Sequence, residues 1–86
     1  MKFKAEITIM PLKELLDPQG KAVLHGLHNL GFSKIESVRI GKHIHIEVDA
    51  DSKSSAEAQV EDACKKLLAN PVMESYSYEI EELMNV

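Results

Sequence analysis

The stretch KIESVRIGKHIHIEVDA, residues 34–50, contains two runs in which apolar and polar side chains alternate. Such alternation is typical of β-strands, because successive side chains of a strand point to opposite faces of a sheet. Val38 and Ile40 in the first run are in phase with Ile44 in the second. Gly41 separates the runs, so the stretch is either a tight hairpin or one long strand bent at that glycine.

The segment before this stretch predicts one strand and one helix. Residues 2–10 alternate in the same way and indicate a half-buried strand. Val23, Leu27 and Leu30 recur at helical spacing, which indicates an amphipathic helix. Gly31 directly after them is predicted to be the left-handed residue that ends this helix.

The segment after it predicts a second helix and a last strand. Ser54 and Glu57 have the spacing of a capping box, so the second helix is expected to begin there, with Leu67 on its apolar side. Pro71 ends the helix, and residues 72–80 alternate as a strand. The order β-α-β-β-α-β predicts an α+β, ferredoxin-like fold, an antiparallel sheet with two helices on one face.

The start of the first helix contains one unfavourable residue. Asp17 is suited to cap the helix, and Pro18 fits its first position. Gly20 in the first turn is roughly 0.5–1 kcal/mol worse than alanine. Its bare backbone has two interpretations: it admits the backbone of another chain, or it allows this helix to pack closely on the sheet.

The composition argues against several classes of protein. A chain of 86 residues has room for one core, so a single domain over residues 1–86 is expected. The net charge of −4 argues against nucleic acid or an anionic membrane as the main partner. The single cysteine, Cys64, and the lack of a signal-peptide pattern indicate a cytoplasmic protein. A core this small is commonly stabilised by association with other chains.

No motif in the chain predicts a catalytic residue, a cofactor-binding residue or a metal ligand. His25 and His28 lie one helical turn apart, and His43 and His45 point to the same face of a strand. Two histidines at strand spacing can bind zinc, but the pattern is weak and no acidic residue is obviously spaced to orient the rings. Cys64 lies on an apolar helix face, where packing is its expected role. A small-molecule-sensing homodimer of the ACT type stays open as an alternative.

Three segments together resemble the PurS family, the small subunit of phosphoribosylformylglycinamidine synthase. They are LLDPQGKAV at 15–23, VRIGK at 38–42 and LLANPVMESYSYEIEE at 67–82. The resemblance implies a glutamine-dependent, ATP-consuming ligase complex of purine biosynthesis. A glutaminase subunit would release ammonia, and a large synthetase subunit would hold ATP and Mg²⁺. The small subunit would carry no catalytic residues, form a homodimer or tetramer, and bridge the other two subunits so that ammonia passes between them.

The resemblance and the turn chemistry together suggest which residues contact partner chains. The start of the first helix, the turn around Gly41 and the end of the second helix carry most of the candidates. Tyr76 on the last strand is expected in the core or at a dimer interface. The partner-contact candidates are Asp17, Gln19, Gly20, Arg39, Gly41, Lys42, Asn70 and Tyr76.

Overall fold

The computed structural model of the protein describes residues 1–13 and 17–83. The connector predicted over residues 11–15 lies partly outside these ranges. The elements are β1 (Lys2–Pro11), α1 (Pro18–Asn29), β2 (Lys42–Asp49), α2 (Lys53–Ala63) with a π-helical turn (Cys64–Leu68), and β3 (Glu74–Glu82). No helix within the described ranges is long and apolar enough to cross a membrane.

In the described part of the chain the strands form one antiparallel sheet in the order β2-β1-β3. The register places Ile7 of β1 between Ile44 of β2 and Tyr78 of β3. The apolar residues of β1 therefore share one face, on which α2 packs, and the polar residues share the other. The buried core consists of Phe3, Ala5, Ile7, Ile9, Ala50, Ala56, Val60, Cys64, Ala69 and Ile80.

The α+β class and the antiparallel sheet are confirmed, but the strand predicted before Gly41 is not formed. The residues from 34 to 41 lie outside any strand, so neither the hairpin nor the long bent strand is present. Their backbone groups bind side chains instead of a neighbouring strand. The Ile40 amide donates to Asp17 Oδ2 at 3.0 Å, and the His28 ring donates to the Ile35 carbonyl at 2.7 Å.

The predicted end of α1 is confirmed in its backbone. Gly31 has a φ of 99°, in the left-handed region that favours glycine. The Phe32 amide donates to the Leu27 carbonyl at 3.0 Å, and the Gly31 amide donates to the His28 carbonyl at 3.1 Å. These two bonds define a Schellman motif, which satisfies carbonyls at the end of the helix.

The prediction that both helices cover one face of the sheet is wrong for α1. All twelve residues of α1 are described, and only Gly20 is buried. Leu30 is 76% exposed and Phe32 is 54% exposed. The radius of gyration is 16.9 Å, whereas a compact chain of this length has a value of about 12 Å. Helix α1 therefore extends away from the core as an arm, with its apolar side uncovered.

The second helix differs from its prediction at both ends. It begins at Lys53, and Ser52 rather than Ser54 caps it by accepting the Ser55 amide at 3.2 Å. At the other end Leu67 is 83% exposed instead of buried. The π-helical turn is the cause, because its wider turns shift the positions that face the sheet.

Candidate functional site

The carboxylate of Asp17 connects the start of α1 to the segment that precedes β2. Its Oδ1 accepts the Gly20 amide at 3.0 Å, and its Oδ2 accepts the Ile40 amide at 3.0 Å. The bond from Gly20, followed by the bond from Ile40 and the charge of Arg39, lowers the pKa of Asp17. One ionised side chain thus satisfies backbone donors from two parts of the chain.

Gly20 is in close contact with this chain's own backbone. A Cβ at this position would overlap the carbonyl oxygen of Val38 and lie 2.6 Å from Asp17 Oδ2. The glycine therefore allows α1 to approach the segment before β2. The close packing lies against this segment rather than against the sheet.

Arg39 and Gly41 hold the same segment against the end of β1. The guanidinium of Arg39 donates to the Pro11 carbonyl. A Cβ at Gly41 would overlap the Met10 sulfur and the Ile9 carbonyl. The chain thus turns into β2 along the backbone of β1, which leaves no space for a side chain at residue 41.

Lys42 and Asn70 link the start of β2 to the turn before β3. Lys42 Nζ lies 3.7 Å from Glu74 Oε2, and Glu74 Oε1 accepts the Asn70 amide at 2.8 Å. Asn70 Oδ1 accepts the Val72 amide at 3.0 Å. Glu74 therefore connects the two segments.

The structure gathers most of the predicted partner-contact residues at one end of the sheet. Tyr76 lies at the same end, because Ile9 of β1 pairs with Lys42 on one side and with Tyr76 on the other. Gln19 is exposed at the start of α1. Tyr76 lies on the face covered by α2, where its hydroxyl donates to Glu61 Oε1 at 2.8 Å. This hydrogen bond is the main cause that raises the pKa of Tyr76 to about 12. The gathered residues are Asp17, Gly20, Arg39, Gly41, Lys42 and Asn70.

The sequence did not reveal that the strand histidines share a carboxylate. His45 Nδ1 lies 2.6 Å from Glu6 Oε1, and His43 Nε2 binds the other oxygen of Glu6. These bonds, His43 first, lower the pKa of Glu6. Alternation placed Glu6 on the polar face, but only the strand register places it opposite His45.

The described residues do not bring together a metal site or a reactive thiol. Within residues 1–13 and 17–83, no group of three or more His, Cys, Asp or Glu is arranged to hold a metal ion. Cys64 is buried in the core, as its position on an apolar helix face predicted. Burial, with the nearby charge of Glu61, raises the pKa of the Cys64 thiol. A buried protonated thiol is a packing group rather than a nucleophile.

Comparisons with known proteins give one family. The family model PurS, described as phosphoribosylformylglycinamidine (FGAM) synthase, matches residues 4–82. Phosphoribosylformylglycinamidine synthase subunit PurS of Bacillus subtilis (strain 168) is 37% identical over 82 residues, which are 95% of this chain and 96% of the relative.

Solved structures agree with this assignment. The structure of Thermus thermophilus PurS has a TM-score of 0.83 and 41% identity, covering 98% of this chain and 100% of that one. A chain in the structure of PurLQS from Thermotoga maritima has a TM-score of 0.82 and 36% identity, covering 96% of this chain and 99% of that one. With the family model spanning nearly the whole chain, this protein belongs to the PurS family of phosphoribosylformylglycinamidine synthase subunits.

Proposed function

We propose that this chain is the non-catalytic subunit that joins the glutaminase subunit of phosphoribosylformylglycinamidine synthase to its large synthetase subunit. Ammonia would then pass between them within the complex. Membership in the PurS family and the likeness to a chain of PurLQS support this role. In this proposal the synthetase subunit holds ATP and Mg²⁺, and the complex works in the cytoplasm.

The observation that carries the proposal that this chain acts within an assembly is the uncovered apolar side of α1. Val23 is 42% exposed and Leu30 is 76% exposed, although both belong to the apolar stripe of an amphipathic helix. Most of the stability of such a helix in a protein comes from packing its apolar face. The described residues of this chain leave that face open, which supports the proposal that another chain covers it.

A second copy of this chain is the partner that fits the exposed helix α1. Ile46 and Val48 of β2 border, with Val60 and Ala63 of α2, a groove of about 200 Å³. The twelve residues of α1 span about 18 Å, and the eight residues of β2 span about 26 Å. Helix α1 of one copy is therefore short enough to lie along β2 of the other. Exchange of both arms gives a symmetric dimer.

Light scattering tests this exchange. The wild-type protein is expected at twice the chain mass of 9.6 kDa. Leu30→Gln should shift the equilibrium toward the monomer, because it places an amide on the apolar side of the arm. Lys21→Gln, an exposed position on the same helix, serves as the control and should leave the mass unchanged. A wild-type monomer at micromolar concentration would contradict the exchange.

Reconstitution tests the bridging role. Purified glutaminase and synthetase subunits are mixed with and without this chain, and amidation of formylglycinamide ribonucleotide is followed with ATP. With glutamine as nitrogen source, turnover should require the chain. With ammonium chloride, turnover should be nearly independent of it. Equal glutamine-dependent turnover in its absence would refute the bridging role.

Calorimetry separates this role from the small-molecule-sensor alternative. The isolated chain is titrated with glutamine, with ADP and with a panel of amino acids. The bridging role predicts no saturable heat for any of them. Tight binding of one ligand per protomer or per dimer would instead support the sensor.

A further inference from the structure

The outer edge of β2 carries backbone groups that have no partner strand. In the described part of the chain β2 pairs only with β1. The Ala50 amide donates to the Met1 carbonyl at 2.9 Å, which continues the register of these two strands. In an antiparallel pair every second residue directs both of its backbone groups to the same neighbour. The even-numbered residues of β2 therefore bind β1, and the backbone groups of His43, His45 and Glu47 point away from the sheet.

Residues 36–40 continue the direction of β2 on the other side of Gly41. A two-residue hairpin turn of the kind that joins strands requires a positive φ, and Gly41 does not have one. The residues from 36 to 40 also contain no turn or bend. Val38 and Ile40 are in phase with Ile44, so the apolar face of β2 extends into this segment.

The backbone groups of residues 36–40 alternate as those of β2 do. The Ile40 amide and the Val38 carbonyl oxygen both lie against the start of α1. Ser37 and Arg39 are offset by one position, so their N–H and C=O groups point to the opposite side. Within residues 1–13 and 17–83 these groups have no hydrogen-bond partner. One unpaired edge thus continues from Ser37 into β2.

Both the edge and the apolar face of β2 are available to a second chain. Residues 36–49 include no proline, and a long strand edge without proline is a template on which another strand can pair. Ile44, Ile46 and Val48 are only half-buried, whereas Ile7 beside them on β1 is buried. A strand added at this edge would satisfy the backbone groups and bring a cover for these side chains.

We propose that residues 36–49 pair antiparallel with the same residues of a second copy, so that the three strands of each copy join in one sheet. The edge is complementary to itself. Under a two-fold axis the outward backbone groups of one copy meet those of the other, and the apolar side chains of both copies lie on the same face of the joined sheet.

The exchange of α1 leads to the same edge. Residues 36–40 follow α1 in the chain and contact its start. Where α1 of one copy lies along β2 of the other, these residues therefore reach the outer edge of that β2. This inference rests on the dimer of the proposed function, and it names the strands by which the two copies pair.

Hydrogen exchange of the full-length protein, resolved by residue with NMR, tests the pairing. The amides of Ser37, Arg39, His43 and His45 have no acceptor in the single chain, so they should exchange rapidly unless a second copy supplies one. In the dimer we expect them to exchange at least about tenfold more slowly than the amides at the other edge of the sheet.

The outer edge of β3 is the internal control. The Leu83 amide donates to the Lys2 carbonyl at 2.8 Å, so the odd-numbered residues of β3 bind β1 and the even-numbered residues point outward. The amides of Tyr76 and Tyr78 should therefore exchange rapidly in the same sample.

Proline variants test the same hydrogen bonds by removing the donors. The double variant Ser37→Pro with Arg39→Pro loses two outward N–H groups and no hydrogen bond from a backbone amide within its own chain. It should dimerise at least about tenfold more weakly in light scattering over a range of concentrations. Ser37→Ala with Arg39→Ala removes the same side chains and keeps both N–H groups, so this matched control should dimerise more tightly than the proline variant.

The possible outcomes separate this inference from the proposed function. If the wild type is a dimer in which the amides of His43 and His45 exchange rapidly, the inference is overturned while the exchange of α1 stands. Slow exchange at Tyr76 and Tyr78 instead would assign the pairing to β3 and overturn it as well, as would equal dimerisation of the proline and alanine variants. If the wild type is a monomer, the proposed dimer fails together with this inference, and the bridging role is decided by reconstitution.

Discussion

Substitution of Gly20 by alanine sets two physical effects of opposite sign against each other. Alanine has the higher helix propensity, which favours the variant by about 1 kcal/mol. The new Cβ would overlap the carbonyl oxygen of Val38 and lie 2.6 Å from the carboxylate of Asp17. Overpacking of this kind costs about 1–3 kcal/mol. The upper part of this range applies at Gly20, because a backbone oxygen cannot rotate away from the new Cβ. We therefore expect Gly20→Ala to destabilise the protein by about 1–2 kcal/mol.

Gly26 on the same helix provides the matched control. A Cβ there would meet nothing within 4 Å, so Gly26→Ala should stabilise α1 by up to about 1 kcal/mol. Hydrogen exchange of the α1 amides and thermal unfolding, both at fixed protein concentration, measure the two changes. For Gly20→Ala the expected shift in Tm is a decrease of about 5–15 °C. A Gly20→Ala protein as stable as the wild type would refute the contact with Val38 as the reason for glycine.

Three further predictions concern the other close contacts. Gly41→Ala should lower the free energy of unfolding by about 1–3 kcal/mol in urea titrations, because its Cβ would overlap the end of β1; an unchanged midpoint would contradict this. His43 and His45 lower the pKa of Glu6 in the folded protein below its usual value of 4.5. The ionised form of Glu6 therefore adds stability above pH 4.5, and this contribution disappears as the pH falls through the folded pKa. The difference in free energy of unfolding between wild type and Glu6→Gln should thus shrink on acidification. A difference that stays constant would argue against the interaction of Glu6 with the two histidines. The hydrogen bond from Tyr76 to Glu61 raises the pKa of Tyr76 to about 12, so it adds stability that is complete below pH 10 and is lost as the pH rises through about 12. In an absorbance titration of phenolate formation, Tyr76→Phe should remove the ionisation near pH 12. If that ionisation stays, the bond to Glu61 is excluded.

Features that depend on neighbouring residues were predictable from the sequence. The cap formed by Asp17 and the Schellman motif at Gly31 are confirmed, because each consists of bonds between residues a few positions apart. The strand over residues 2–10 is confirmed for the same reason, since alternation is a local pattern, whereas the strand predicted over residues 72–80 forms with different bounds, Glu74–Glu82. The family was identifiable because three short segments occur together in one order.

Features that depend on distant residues were not predictable. Glu6 and His45 are 39 positions apart, and only the register of β1 against β2 makes them neighbours. Val38 has the pattern of a strand residue, yet its segment binds Asp17 and Arg39 holds it against β1, so no strand forms. Alternation shows that a backbone can pair and does not show whether a partner strand is available.

The sequence by itself determined the α+β class, the approximate positions of the helices and of the strands that form, both ends of α1 and the family, because periodicity and capping are set by adjacent residues. Only the tertiary structure decided that α1 stands away from the sheet, that a π turn exposes Leu67, and that Gly20 lies against Val38. The apolar stripe of a helix predicts that this face packs against another surface, but it does not identify that surface or the chain that provides it. That choice depends on packing between residues far apart in the sequence, and here it leaves apolar surface available for other chains.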